Sequence, residues 1–171
     1  RLWVAATDYR GEMTISDEIL KRLTDAYRRL RNTARFLLGN LHGFDPKYKL
    51  EIDKCVALDR QMIRFTKELQ EKIITDYEAY TFHLAFQKIH HFCSNDLGGF
   101  YLDVLKDRLY TAKKSSIAYQ SAQTALYYIL QALTRWMAPM LSFTAEEIWQ
   151  YKKKKKTESV FLNRWFNDFP E

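Results

Sequence analysis

Apolar residues return along most of this chain at the three-and-four spacing of an α-helix. Ile19, Leu20, Leu23, Tyr27, Leu30, Ala34, Leu37, Leu38 and Leu41 share a face, with Lys21, Asp25, Arg28, Asn32 and Arg35 on another stripe. Ser16 is placed to cap that helix, Asp17 and Glu18 put negative charge near its first amides, and Gly39, Gly43 and Pro46 predict its stop. A second run, Leu58, Met62, Phe65, Leu69 and Ile73, leads into a third, Phe82, Phe86, Ile89 and Cys93. The apolar phase slips across Asp76-Tyr77-Glu78-Ala79-Tyr80, which predicts a break there. Ser94-Asn95-Asp96-Leu97-Gly98-Gly99 predicts a stop, followed by a short helix over residues 100–107 and a basic connection. Ser115 or Ser116 then caps a long helix whose stripe is Ala122, Leu126, Ile129, Leu133, Trp136 and Met140, with Pro139 ending or kinking it. Thr144-Ala145-Glu146-Glu147 has capping-box spacing for a last short helix carrying Ile148 and Trp149. The tail, Val160-Phe161-Leu162 and Trp165-Phe166, is expected to pack back on the body. The pattern predicts an all-α helical bundle of about five principal helices, with extended pieces only at the N-terminus and after Thr157.

Composition supports this reading. At 171 residues and 47% hydrophobic the chain can bury a core, and five Gly with three Pro are too few for the many turns of a β-sandwich. A net charge of +6 and a pI near 9.2 suit a polyanionic partner without proving one. Cys55 and Cys93 have no second Cys or His at metal spacing, which points to reduced thiols and to no zinc site. No apolar run approaches the ~18 to 20 residues of a membrane span and no signal peptide opens the chain, so a cytoplasmic protein with no membrane partner is expected. The chain starts without Met inside the apolar stretch Leu2-Trp3-Val4-Ala5-Ala6, as a piece cut from a longer protein would, with Trp3 and Val4 on the cut face.

The spacing carries no Gly-rich phosphate loop, no nucleophile elbow and no cluster of metal ligands on one helical face, so no catalytic, cofactor or metal residue is assigned. Neighbouring helical residues point about 100° apart, so His90 and His91 cannot readily share one ion; one is expected near the core and one outside. Cations interleaved with aromatics are the remaining signal. Tyr27-Arg28-Arg29-Leu30-Arg31 and Lys106-Asp107-Arg108-Leu109-Tyr110, followed by Lys113 and Lys114, set cations beside rings able to stack on unpaired bases. The same pattern also describes a solvated face at the edge of a core.

Longer stretches are more specific. Leu2-Trp3-Val4-Ala5-Ala6-Thr7-Asp8-Tyr9-Arg10-Gly11-Glu12-Met13, Ser16-Asp17-Glu18-Ile19-Leu20-Lys21-Arg22 and Tyr27-Arg28-Arg29-Leu30-Arg31-Asn32-Thr33-Ala34-Arg35-Phe36-Leu37 resemble the start of the anticodon-binding domain of the isoleucyl-tRNA synthetases. Phe100-Tyr101-Leu102-Asp103-Val104-Leu105-Lys106-Asp107-Arg108-Leu109-Tyr110-Thr111-Ala112-Lys113 and the stretch from Arg135-Trp136-Met137-Ala138-Pro139 to Glu146-Glu147-Ile148-Trp149 resemble two further parts of that family, in the same order. The resemblance implies a class I enzyme that ligates isoleucine to its tRNA with ATP and magnesium, edits mischarged valine elsewhere, and carries zinc in a C-terminal segment. Neither ATP signature of that family, of HIGH or KMSKS type, occurs here, nor does the editing insertion or the zinc segment. This piece alone is therefore expected to bind tRNA for isoleucine without catalysis, as a monomer, and to be joined to the rest of the synthetase in the parent.

On that resemblance residues 1–15 end the connection to the catalytic body, residues 16–151 form the anticodon-binding bundle, and residues 152–171 form a basic loop and a tail. Lys106 and Arg108 are assigned to bases or phosphates, Tyr110 to stacking and Lys113 to phosphate, while Asp107 either holds Arg108 or accepts from a base amine. Arg28 and Arg31 complete the candidate tRNA-binding set; Arg28, Arg31 and Arg35 can equally brace the bundle, and an internal salt bridge suits Arg31 as well as RNA does. Trp136 and Trp149 sit on apolar stripes and read as core. Lysines 152–156 are expected to add only salt-sensitive attraction to phosphates. A helical protein-interaction module with a basic surface is the alternative.

Overall fold

The computed structural model describes residues 1–152 and 157–171. Among them the regular structure is helical and no helix is long and apolar enough to cross a membrane. The first five-residue helix, α1 (Leu2–Ala6), replaces the extended piece expected at the N-terminus. Its turn is closed by Thr7 Oγ1 donating to the Trp3 carbonyl at 2.8 Å, and it packs on α4 (Phe82–His91) and α2 (Asp17–Asn40).

Helix α2 begins as the sequence predicts: Ser16 Oγ accepts from the Ile19 amide at 3.2 Å, and Asp17 and Glu18 occupy the first turn. Ala26, Leu30, Thr33, Ala34 and Leu37 are its buried stripe. Beyond it Gly43 has φ of +83°, a left-handed conformation that costs glycine nothing. The connection to α3 (Ala57–Glu78) is pinned by hydroxyls of α6 (Ile117–Met137): Thr124 Oγ1 accepts from the Leu50 amide at 3.1 Å and Ser121 Oγ from the Val56 amide at 2.8 Å.

The expected break after Asp76 is present. Tyr80 turns the chain at φ of +57°, and the Asp76 carbonyl accepts from Thr81 N and Oγ1 while its carboxylate takes the Lys88 ammonium. The expected stop at residues 94–99 is absent. Phe92–Tyr101 forms a π-helix that carries α4 directly into α5 (Leu102–Thr111). Gly98 serves a close approach: a Cβ there would lie 2.9 Å from the Cys93 carbonyl oxygen. Two glycines that resemble a terminator are used to widen a helix.

Ser116 caps α6, accepting from the Tyr119 amide at 3.2 Å, and α6 is the central helix, packed by α2, α3, α5 and α7 (Ser142–Tyr151). Helix α7 does not open on the expected capping box. It starts at Ser142 with no side-chain cap, Thr144 Oγ1 meets Tyr27 OH at 3.1 Å, and the Glu146 carboxylate accepts from Ser159 Oγ and the Val160 amide. Trp136 and Trp149 are core, at 0% and 1% exposed. The tail folds back: Gln70 Nε2 donates to the Phe166 carbonyl at 2.7 Å and Trp165 packs against Tyr77.

Candidate nucleic-acid interface

Lys106, Asp107, Arg108 and Tyr110 lie within the last two turns of α5, where a loop after a shorter helix was expected. Leu105 and Leu109 bury one side of α5, so Lys106, Asp107 and Tyr110 face solvent, Tyr110 at 70% exposure. Lys106 Nζ rests 2.6 Å from Asp103, and the hydrogen bond raises its pKa. Lys113 is exposed in the next turn, its carbonyl accepting from Ser116 N and Oγ. Residues 106, 107, 110 and 113 thus form one charged edge at the α5–α6 corner.

Arg108 does not join that edge. Its Nη1 and Nη2 donate to the two Asp59 oxygens at 2.8 and 2.7 Å. Asp59 is fully buried and also accepts from Tyr101 OH at 2.8 Å and from Ser121 Oγ. The hydrogen bonds that Arg108 donates to Asp59 hold the Arg108 pKa up, while burial and the Asp59 charge push the Tyr101 phenol well up. The guanidinium fork assigned to bases or phosphates is spent inside the bundle, and Asp107 does not hold it. The partner, Asp59, gives no signal in the sequence: an acid early in α3 looks like first-turn charge.

Arg28 and Arg31 stand on α2, which packs on α6 and α7 while α5 packs on the π-helix and α6. Arg28 has one exposed partner, Asp25 at 3.4 Å. Arg31 forms no internal salt bridge among the described residues; with Arg35 it lines a cleft of about 680 Å³ between α2, α6 and α7. Phe44, Tyr127 and Tyr151 form aromatic walls, and Gln131 and Lys152 the inner end. Lys152 Nζ donates to Gln131 Oε1 at 2.7 Å and sits 4.0 Å from the Trp149 ring centre. Burial, then the nearby Arg135, push its pKa down to about 6. The Arg31–Arg35 spacing was visible in the sequence; the ring walls were not, because tyrosines on packed helices read as core edge. The other lysines of the basic run, residues 153–156, lie outside the described residues.

The family described as the anticodon-binding domain of tRNA ligase matches residues 59–171. Over 171 residues the chain is 59% identical to an isoleucine–tRNA ligase of Coxiella burnetii, covering 99% of this chain and 18% of that protein. It is 60% identical over 168 residues to the enzyme of that name from Methylococcus capsulatus, covering 98% of this chain, and 57% identical over 171 residues to that from Nitrosococcus oceani, covering 99%; in both, 18% of the relative is spanned. The chain thus corresponds to under a fifth of these curated relatives. An all-helical bundle, with an exposed corner of cations and tyrosine and this match over most of its length, belongs to the anticodon-binding domain family of tRNA ligases.

Proposed function

We propose that the chain is the part of an isoleucine-specific tRNA ligase that holds the anticodon stem-loop of tRNA for isoleucine. The observation that carries this reading is the exposed edge of Lys106, Asp107, Tyr110 and Lys113, set on α5 by the buried Arg108–Asp59 pair. Unpaired loop bases can be splayed onto a tyrosine and read on their edges, whereas the A-form major groove is too narrow for side chains, so such an edge suits a loop better than a stem. Arg28 and Arg31 on α2 add phosphate contacts. On this reading ligation, with ATP and magnesium, and a zinc-holding segment belong to other parts of the synthetase chain. The domain works in the cytoplasm, joined to those parts, and is monomeric when isolated.

The test is binding of transcripts of tRNA for isoleucine and of a non-cognate tRNA at two salt concentrations. Tyr110→Ala is expected to weaken the cognate complex by about 1 to 3 kcal/mol of lost stacking and to narrow the gap between the two tRNAs. Lys106→Ala or Lys113→Ala should lower the slope of log affinity against log salt by about one phosphate's worth. Unchanged cognate preference in all three folded variants would remove this edge from the reading surface.

A further inference from the structure

The inner end of the cleft between α2, α6 and α7 holds an amine in an uncommon setting. Lys152, just past the end of α7, donates from Nζ to Gln131 Oε1 at 2.7 Å, and Arg135 Nη1 donates to the same oxygen at 2.8 Å. Two cationic side chains thus meet over one neutral acceptor. They share the Trp149 ring as well, with Lys152 Nζ 4.0 Å and Arg135 Cζ 5.0 Å from its centre. Among the described residues that line the cleft, Glu147 is the one carboxylate, set against Arg31, Arg35, His42 and Lys152. Burying unbalanced positive charge is costly, and a titratable group responds by losing its proton. Burial lowers the Arg135 pKa and Tyr127 and Asp168 offset part of that, but a guanidinium keeps its proton in proteins, so the relief falls to the lysine. Burial, then Arg135, bring the Lys152 pKa down to about 6.

A neutral lysine is a nucleophile. An ordinary lysine, with a pKa of about 10.4, is neutral in only about one molecule in a thousand at pH 7.5. The reagent that suits Lys152 must pass the apolar walls of Leu38, Phe44 and Ile148, and its adduct must bring negative charge to a place with an excess of positive charge. An acyl donor would leave a neutral amide, and cyanate a neutral urea, with Arg135 still uncompensated. Carbon dioxide meets both conditions: it is small, linear and uncharged, and its adduct with an amine is an anion.

We propose that Lys152 is a reversible carboxylation site, its amine taking up carbon dioxide as a carbamate whose negative charge is balanced by Arg135. The Nζ lone pair attacks the carbon and forms the N–C bond, the π pair of one C=O bond moves onto its oxygen, and one Nζ proton leaves to water. Nothing is oxidised or reduced, and release is the reverse reaction. The remaining N–H still donates to Gln131 Oε1. This site stands apart from the anticodon reading, because Lys152, Gln131 and Arg135 lie outside the α5–α6 edge.

The test equilibrates the 171-residue chain with carbon-13-labelled bicarbonate and carbon dioxide near neutral pH. The carbamate is trapped by ethylation with a trialkyloxonium salt and located by peptide mass spectrometry. The expected result is an adduct on Lys152 at least roughly tenfold above that on the exposed Lys106 or Lys113, lost when the sample is degassed before trapping and absent from Lys152→Met. Gln131→Glu places a carboxylate between the two cations and returns the amine to its ammonium form, so in this near-isosteric variant the Lys152 adduct should fall at least roughly tenfold. That variant, verified as folded by its melting curve, decides the matter even if Lys152→Met does not fold. An adduct spread evenly over the lysines, or none on Lys152, overturns the proposal. So does a Lys152 adduct undiminished in Gln131→Glu, since the amine would then owe nothing to its pairing with Arg135.

Discussion

At the scale of single residues, Asp59 is the most consequential side chain. It accepts from Arg108, Tyr101 and Ser121, so it joins α3 to the π-helix, α5 and α6. Removing one partner of a buried pair strands the other, and Asp59→Ala should destabilise the domain by about 3 to 5 kcal/mol in denaturant unfolding. Arg108→Ala should be costly in the same assay. Any loss of tRNA discrimination in that variant therefore follows from a displaced α5 edge. Cognate preference lost by an Arg108→Ala protein whose stability is unchanged would show the guanidinium to be a reader after all.

Lys152 makes a pH prediction of the opposite kind. Its pKa falls from about 10.5 unfolded to about 6 folded, because burial and Arg135 disfavour the ammonium. Between those values the unfolded chain binds more protons, so this group makes stability rise with pH from about 6 upward, while below pH 6 the full cost of the buried charge is present. Lys152→Met should accordingly flatten the rise in unfolding free energy between pH 6 and pH 9 relative to wild type. An unaltered slope would mean that the amine is charged in the folded state.

At the scale of elements, the π-helix is the feature that depends on the fewest atoms. A methyl at position 98 meets the Cys93 carbonyl oxygen at 2.9 Å, whereas one at 99 meets only the Ser94 oxygen at 3.6 Å, an ordinary contact. Gly98→Ala should cost about 1 to 3 kcal/mol by forced displacement, and Gly99→Ala should be neutral or slightly stabilising, read by thermal or urea unfolding. Equal effects would show that the backbone here yields freely. The caps at Ser16 and Ser116 were legible beforehand because capping is local: each hydroxyl serves an amide three residues on. Thr144 has the same local signature but is taken by Tyr27, far away in sequence, and α7 begins two residues earlier.

At the scale of the whole molecule, helix periodicity, the two serine caps, the turn after Asp76, the core tryptophans and the folded-back tail could all be read from the chain. Each rests on spacing within one or two turns, or on apolar area too large to leave in water. What tertiary structure alone decided is where the polar groups go. Whether Arg108 reaches RNA or Asp59 depends on a residue 49 positions away and on which side of α5 faces α6. Whether Gly98-Gly99 ends a helix or widens one depends on continuous packing of α4, the π-helix and α5 on their neighbours. Whether Arg31 and Arg35 brace the bundle or line a cleft depends on the ring walls that α6 and α7 bring opposite them. Apolar burial is proportional to area and nearly indifferent to partner, so its pattern survives in the one-dimensional sequence. A charge or hydrogen-bonding group is satisfied only by a particular partner at about 3 Å, and that partner is chosen by the three-dimensional packing.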